Sequence, residues 1–370
     1  MYSKIIRSLI FIMVIALAVT VYSPVSQAVI QQSALDVLDL DLSGLDSITF
    51  TAAHPSPPDP HLQDHASMVA FKEYVEKVSD GKITVNLSPG GELGDLGELQ
   101  ELAMDGIVEV ILTSDGAIST IYPNIQVVSL PYLFRDVDHA LHVFDGELGQ
   151  TLFEDMRLDT GLKTIAWFDN GGFRSFTNNV REIRTPEDME GLTIRVMEIP
   201  SHIELVERLG AKAVTIPWTE LYTGLATGVA DGQENAIPTL MMAKVYEVQD
   251  YLTLDRHFFS MTQILANDDW FQALPVEYQA IILEGGRRMS EVARRQTRIM
   301  RVAGEEYLRG QGVQIYNPTE DEMQLFREAT QEPVTEFVRN AVADETWVDD
   351  IIAEAEKALG ELGYDEVGAN

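Results

Sequence analysis

The stretch that decides the fold reads LTIRVMEIPSHIELVERLGAKAVTIPWTELYTGLAT and covers residues 192–227. Residues 192–197 and 213–216 have the pattern of strands, and residues 201–209 and 218–227 have the spacing of helices. A strand, a helix, a strand and a helix in succession form a βαβ unit, whose strands usually run parallel. The stretch therefore predicts an α/β fold with a largely parallel sheet.

The same alternation occupies most of the chain and fits two α/β lobes better than one. Further strands are predicted near 48–53, 83–87, 108–113, 164–168, 251–254 and 259–267, and further helices near 60–79 and 98–105. Asp169, Asn170, Gly171 and Gly172 have turn composition. A helical pattern from 275 to 309 would be about 50 Å long at ~1.5 Å per residue, so we expect it to brace both lobes. A helical end follows from 319 to 362.

The charge balance excludes several classes of function. The chain of 370 residues has 59 Asp and Glu against 26 Lys and Arg, a formal net charge of −33 at pH 7. So negative a protein does not bind nucleic acid or anionic lipid without specificity. It also has no cysteine, which excludes disulfides, thiolate metal sites and a cysteine nucleophile.

The first 28 residues have the composition of a secretory signal peptide. Lys4 and Arg7 precede an apolar run from Leu9 to Tyr22, and small residues follow at Ser26 and Ala28. The run is shorter than the ~20 residues that span a bilayer. We therefore expect cleavage near Ala28, a spacer over residues 29–47, and a mature protein in the periplasm.

Two arginines and one polar run are candidates for binding. Arg195 lies in the middle of a short apolar strand, where a guanidinium needs a carboxylate partner. That partner is either an acid of this chain or a ligand bound bidentately. Arg174 follows the turn at 169–172 and is either a solvated loop charge or a binding group presented by a rigid scaffold. The run Asp231–Asn235 (DGQEN) is either a turn or a set of groups that orient a polar ligand.

Seven segments together carry a resemblance to a known family. In chain order they are HPSPPDPH (54–61), GGELGDLGELQE (90–101), LPYLF (130–134), GGFRSFTN (171–178), PEDMEGLTIRV (186–196), LGAKAVTIPWTELYTGLATGVADGQENAIP (209–238) and KVYEVQDYL (244–252). With them the chain resembles the DctP-type solute-binding proteins of TRAP (tripartite ATP-independent periplasmic) transporters, from about Ile48 to Asn340. The segment 209–238 is the most specific.

The resemblance implies a two-lobed, type II venus-flytrap protein and no enzyme. It implies that the protein hands an organic acid to a sodium-driven permease made of a small and a large membrane subunit. Neither a cofactor nor a metal is expected, and the protein is expected to be a monomer. Lobe I would comprise 48–170 with about 261–300, and lobe II 171–260 with about 301–345, followed by a helical tail over 346–370.

The resemblance also assigns site residues. Arg195 would pair with the ligand carboxylate, with Arg174 in the same cleft, Trp218 packed on the ligand and Asn235 hydrogen-bonded to it. Further lining positions would be Ser114, Glu198 and His54. Many members have proline where this chain has Met197, and the next residue, Glu198, would put an acid near Arg195. That acid would either offset the guanidinium charge or meet a ligand ammonium or hydroxyl group, so a plain dicarboxylate is less expected.

Two other functions and one metal site have weaker support in the sequence. An exported hydrolase would use acids near Asp231–Glu234, and a receptor of another kind would present its ligand to a membrane sensor. His61 and His65 are four residues apart with His54 upstream, but no Glu lies between them in the manner of HExxH. The spacing therefore does not predict a zinc site.

Overall fold

The computed structural model describes residues 40–364. Its strands are β1 (Ile48–Ala53), β2 (Ile83–Ser88), β3 (Val110–Ser114), β4 (Leu162–Asn178), β5 (Thr193–Val196), β6 (Lys212–Thr215), β7 (Gly232–Asn235), β8 (Tyr251–Asn267) and β9 (Gln314–Tyr316). Its helices are α1 (Gln63–Val78), α2 (Leu96–Met104), α3 (Asp115–Ile118), α4 (Val137–Asp145), α5 (Glu147–Thr160), α6 (Pro200–Arg208), α7 (Leu221–Ala226), α8 (Ile237–Met242), α9 (Asp268–Ala273), α10 (Val276–Gln311), α11 (Glu320–Ala341) and α12 (Thr346–Glu361). Short 3-10 turns include Trp218–Glu220.

One mixed sheet carries both lobes. Its order is β2-β1-β3-β8-β4-β7-β5-β6, with β9 beside β8. Pairing is parallel among β1, β2 and β3 and among β5, β6 and β7, but antiparallel where β8 and β4 meet each other and their neighbours β3 and β7. The prediction of a parallel sheet is thus right at the two ends and wrong in the centre. Below, the first lobe is the part built on β1–β3, and the second lobe is the part built on β5–β7.

The two central strands are longer than the sequence indicated. β4 and β8 have 17 residues each, so the turn predicted at 169–172 is wrong, and so is the division of β8 into two strands. The chain continues through a bulge between Asp169 and Gly172. Gly171 and Gly172 have φ of 89° and 94°, which glycine adopts without strain, so the composition of a turn serves a bulge equally well.

Helix α10 lies against both lobes, as predicted. It has 36 residues, and small residues let it approach closely at each end. A Cβ on Gly286 would lie 2.2 Å from the carbonyl oxygen of Ile165, near the first lobe, and one on Gly304 would lie 2.3 Å from Cγ2 of Ile237 in α8. The helix therefore braces the molecule along its length.

Two apolar clusters each support one lobe, and a third joins residues of both lobes, among them Ile111 of β3 and Ile194 of β5. Phe50, Phe71 and Ile281 belong to a cluster in the first lobe, and Leu225 and Leu308 belong to one in the second. Leu40, Leu42 and Leu45, from the predicted spacer, pack on the first cluster. The residue limits given above for the lobes stay a prediction.

The predicted signal peptide and residues 29–39 of the spacer lie outside the described residues. Within residues 40–364, none of the helices combines the length and the apolar character that crossing a bilayer requires.

Candidate functional site

A cavity of about 320 Å³ lies between the two lobes. It opens where strands β1, β3, β5 and β7 reach their carboxyl ends, the edge at which α/β sheets commonly bind ligands. Among the predicted site residues, it is lined by Ser114 from the first lobe and by Arg195, Glu198, Trp218 and Asn235 from the second. Two predicted site residues, Arg174 and His54, are not part of its lining.

Arg195 is a buried cation with a free donor at this cavity. Its side chain is 1% exposed, and its Nε donates to the carbonyl oxygen of Ile216 at 2.8 Å. Nη1 is buried and has no hydrogen-bond partner among the described residues. Burial lowers the pKa of Arg195 to about 10, while the nearby Glu234 raises it, so the guanidinium remains charged at neutral pH. The fold thus leaves one donor of a buried charge without an acceptor among the described residues.

Arg174 has its partner inside the protein. It is fully buried, its Nε bonds to Oε2 of Glu234, and its Nη2 donates to Oε1 and to the backbone oxygen of Glu234 at 2.8 and 2.7 Å. The expected loop position is wrong because β4 continues past the bulge and pairs with β7, which carries Glu234. The internal ion pair that we considered for Arg195 is made by Arg174.

Glu234 is the centre of a buried network behind the cavity. His202 Nδ1 lies 3.3 Å from Oε1 of Glu234, and His257 Nε2 lies 3.3 Å from Oε2. Burial by itself would raise the pKa of Glu234, but Arg174 and His202 hold it well below the usual range. His257 also contacts Asp255 at 2.6 Å. Burial lowers its pKa, but Asp255 and Glu234 together raise the pKa to about 9. These pairs hold β4, β7 and β8 together next to Asn235.

Asn235 and Trp218 form part of the wall on the second lobe. Asn235 ends β7, and its Nδ2 donates to Oε1 of Gln233 at 2.6 Å. Gln233 in turn donates to Thr177 at 2.8 Å, so the amide of Asn235 is held in one orientation. Trp218 begins a 3-10 turn and is half-buried, which leaves part of its ring available to a ligand.

Ser114 brings the first lobe to the cavity, where Met197 meets it. Ser114 ends β3 and caps α3, with its Oγ 3.5 Å from the Ala117 amide nitrogen. The same Oγ lies 3.8 Å from Sδ of Met197. Glu198, the next residue, is exposed at the cavity rim.

His54 lies beside the cavity rather than in its wall. It is buried, and its Nε2 is 3.0 Å from Nδ1 of His65. Burial, with His65 adding to the effect, lowers the pKa of His54 to about 4, so the ring is neutral at pH 7. Over residues 40–364, no three His, Asp or Glu side chains are placed to hold a metal ion.

The sequence analysis missed several residues that line the cavity, and Asp64 is one of them. Asp64 is 4% exposed and lines the cavity from the first lobe, together with Ser56. It lies in the segment HLQDH (61–65), which was considered only for the spacing of its histidines. The signal available in the sequence was an acid in the first turn of a predicted helix next to a candidate site. The burial of that acid is not visible in the sequence.

Comparison with known proteins gives one family. The sequence model described as "Bacterial extracellular solute-binding protein, family 7" (DctP) matches residues 55–340. The 2,3-diketo-L-gulonate-binding periplasmic protein YiaO of Escherichia coli is 29% identical over 62% of this chain and 70% of its own. The ectoine/5-hydroxyectoine-binding periplasmic protein UehA of Ruegeria pomeroyi is 34% identical over 57% of this chain and 62% of its own.

A solved structure extends the similarity. The crystal structure of the sugar acid binding protein DctPAm from Advenella mimigardefordensis, in complex with galactonate, has a TM-score of 0.80 and 29% sequence identity. It covers 85% of this chain and 99% of its own. The similarity therefore includes both lobes and the long helix between them.

Proposed function

The chain belongs to family 7 of the bacterial extracellular solute-binding proteins, and from this premise we propose that it captures an organic acid between its lobes through Arg195. We propose further that it delivers the acid to a sodium-coupled permease with a small and a large membrane subunit. Members of the family are periplasmic receptors, and in TRAP transporters they work with membrane subunits. The protein is accordingly a receptor and not an enzyme, which removes the hydrolase alternative.

The free Nη1 of Arg195 is the observation that carries the proposal. A ligand carboxylate that accepts from Nη1 gains a charge-assisted hydrogen bond in a site from which closure removes water. The local dielectric falls as water leaves, so the ion pair strengthens. This local attraction has to overcome the long-range repulsion between an anion and a protein of charge −33.

The other site residues take supporting roles in the proposal. Trp218 packs on the ligand, Asn235 and Ser114 bond to its polar groups, and Glu198 lies at the entrance. Arg174 and His54 act from behind the wall, by holding the backbone next to Asn235 and next to Pro55 and Ser56. We also propose export with cleavage near Ala28 and a monomeric receptor.

Ligands of the relatives support the substrate class. YiaO is named for 2,3-diketo-L-gulonate, DctPAm was crystallised with galactonate, and UehA is named for ectoine and hydroxyectoine. All of these carry a carboxylate, which is the group that Arg195 would bind.

Substitution of Arg195 tests the proposal directly. We expect Arg195→Gln to weaken the binding of an acid found in a thermal-shift screen by roughly two to four orders of magnitude, because removing one partner of a buried ion pair costs ~3–5 kcal/mol. Isothermal titration calorimetry measures the affinity. The same variant should abolish sodium-dependent uptake into vesicles that contain the membrane subunits.

The matched control is Arg184→Gln, which removes an arginine whose side chain is 58% exposed. Its affinity should equal that of the wild type. An Arg195→Gln affinity within threefold of the wild type would refute the clamp. Binding without any uptake would instead favour presentation of the ligand to a membrane sensor.

A further inference from the structure

A second ionisable side chain reaches the same cavity from the opposite lobe. Asp64 lies in the first turn of α1 and is 4% exposed. Its Oδ2 accepts a hydrogen bond of 2.5 Å from the Ser56 hydroxyl. Its Oδ1 is buried and has no hydrogen-bond partner among the described residues. The carboxylate is therefore held in place by one oxygen and leaves the other oxygen without a donor.

Asp64 is charged at neutral pH despite its burial. Burial raises the pKa of its carboxyl to about 6, and the hydrogen bond from Ser56 works against that rise. Among residues 40–364 the one hydrogen bond to its carboxylate comes from Ser56, and the carboxylate forms no ion pair with an arginine, a lysine or a histidine. An unpaired acceptor of this kind is costly in a dry site, so something should donate to it when the lobes close.

Asp64 and Arg195 line the same cavity, and each has one buried polar atom without a hydrogen-bond partner among the described residues. Both line the space of about 320 Å³, one from each lobe. Arg195 bonds to Ile216 and keeps Nη1 free, whereas Asp64 bonds to Ser56 and keeps Oδ1 free. They are not partners of each other, so a ligand that fills the cavity would meet a donor on one side and an acceptor on the other.

Building on the proposed function, we propose that Asp64 determines specificity: it accepts a hydrogen bond from a hydroxyl or ammonium group of a ligand whose one carboxylate binds Arg195. The ligand class is a monocarboxylate with a hydrogen-bond donor remote from the carboxylate. A dicarboxylate is disfavoured because its second charge would face Oδ1 of Asp64. The carboxylates of Glu98 and Glu101, which also line this cavity, add to that repulsion.

Six-carbon acids of the same chain length separate these chemistries. The probes are hexanoate, which has no donor, adipate, which has a second carboxylate, D-gluconate and D-galactonate, which have hydroxyls, and 6-aminohexanoate, which has an ammonium group. Calorimetry at pH 7.5 gives each affinity for the wild-type protein. We expect at least one donor-bearing acid to bind roughly 10- to 100-fold more tightly than hexanoate, as for a hydrogen bond to a charged group. Adipate should bind no better than hexanoate.

Two variants assign that preference to Asp64. Asp64→Ala removes the acceptor and should reduce the advantage of the hydroxylated acids over hexanoate to within threefold. Asp64→Asn keeps the shape and removes the charge, so it should weaken 6-aminohexanoate and strengthen adipate. Glu73→Gln is the control, because Glu73 is an exposed acid on the same helix. It should leave every ratio unchanged. The thermal unfolding of each variant establishes that it folds.

The outcomes separate this inference from the proposed function. If the donor-bearing acids keep their advantage in Asp64→Ala, or if adipate is the tightest ligand of the wild type, Asp64 binds water or serves the fold and the inference is wrong. Those results would leave Arg195 as the clamp. If Arg195→Gln binds all five acids as the wild type does, the proposed function itself fails.

Discussion

The two buried arginines, Arg195 and Arg174, differ in what surrounds them. Both lie on strands that pair with β7, and each is at most 1% exposed. Arg174 is bonded to both carboxylate oxygens of Glu234, whereas Arg195 keeps Nη1 free at the cavity. A chain with 59 acids has enough carboxylates to pair both. On the proposed function, the difference teaches that a missing partner, rather than burial, distinguishes the arginine that binds the ligand from the one that serves the fold.

Stability should respond most strongly to the arginine that is paired. Arg174→Gln leaves the buried carboxylate of Glu234 without its main partner, and we expect the free energy of unfolding to fall by about 3–5 kcal/mol. Arg195→Gln removes a buried cation that has no hydrogen-bonded carboxylate partner and whose burial disfavours its charge, so it should not lower that free energy. Chemical denaturation of the ligand-free variants, followed by circular dichroism, makes the measurement.

The two variants should therefore have opposite profiles. Arg174→Gln should lose stability and Arg195→Gln should lose affinity. Equal losses of stability would break the comparison, because they would give both arginines a structural role.

The fold could be predicted from the sequence where local patterns decide it. The strand at 48–53 was predicted to the residue, and α10 (Val276–Gln311) within two residues at each end, since burial of one face imposes a regular period. The bulge in β4 was predicted as a turn. Asn170, Gly171 and Gly172 suit both structures, and the pairing of β4 with β8, far along the chain, decides between them.

Part of the site could be predicted from the sequence. The rest depends on contacts and burial that only the folded chain has. Motifs gave Arg195 and Asn235, which the fold brings to one cavity wall. They also gave Arg174, whose partner Glu234 is 60 residues away, and local sequence does not encode that contact. Asp64 was missed because its interest comes from burial and from an oxygen without a donor. Both properties exist only in the folded structure.

Asp64 extends the comparison to an acid. Like Arg195, it is buried and has no hydrogen-bonded partner of opposite charge among the described residues. Burial raises the pKa of its carboxyl from the ordinary value of 3.8 to about 6 in the folded protein. Its contribution to stability is therefore fully present below about pH 4 and is lost as the pH rises through 6. Asp64→Asn lacks this loss. We expect it to be more stable than the wild type by on the order of 3 kcal/mol at pH 7.5.

A denaturation series from pH 4 to pH 7.5 measures the difference between the two proteins. The gain should shrink towards zero at pH 4, where the wild-type carboxyl is protonated. Glu73→Gln should show no such trend. A constant difference at every pH would mean that Asp64 is not the titrating group.

The smallest effect on ligand affinity is expected at Met197, whose side chain contacts Ser114 of the first lobe across the cavity. A Cβ on Gly116 of the first lobe would lie 2.5 Å from its Cε, so the Met197 side chain fills the space there. Met197→Ala removes a few dispersion contacts between the lobes, and we expect ligand affinity to fall by about threefold.

A second substitution tests this contact. Gly116→Ala should lower ligand affinity more in the wild type than in Met197→Ala, because the smaller side chain makes room for the new methyl group. Calorimetry on the four proteins of this double-mutant cycle gives the coupling. Strictly additive changes would show that Met197 does not hold the lobes together, and the closed cavity would then depend on the ligand bridging Arg195 and Asp64.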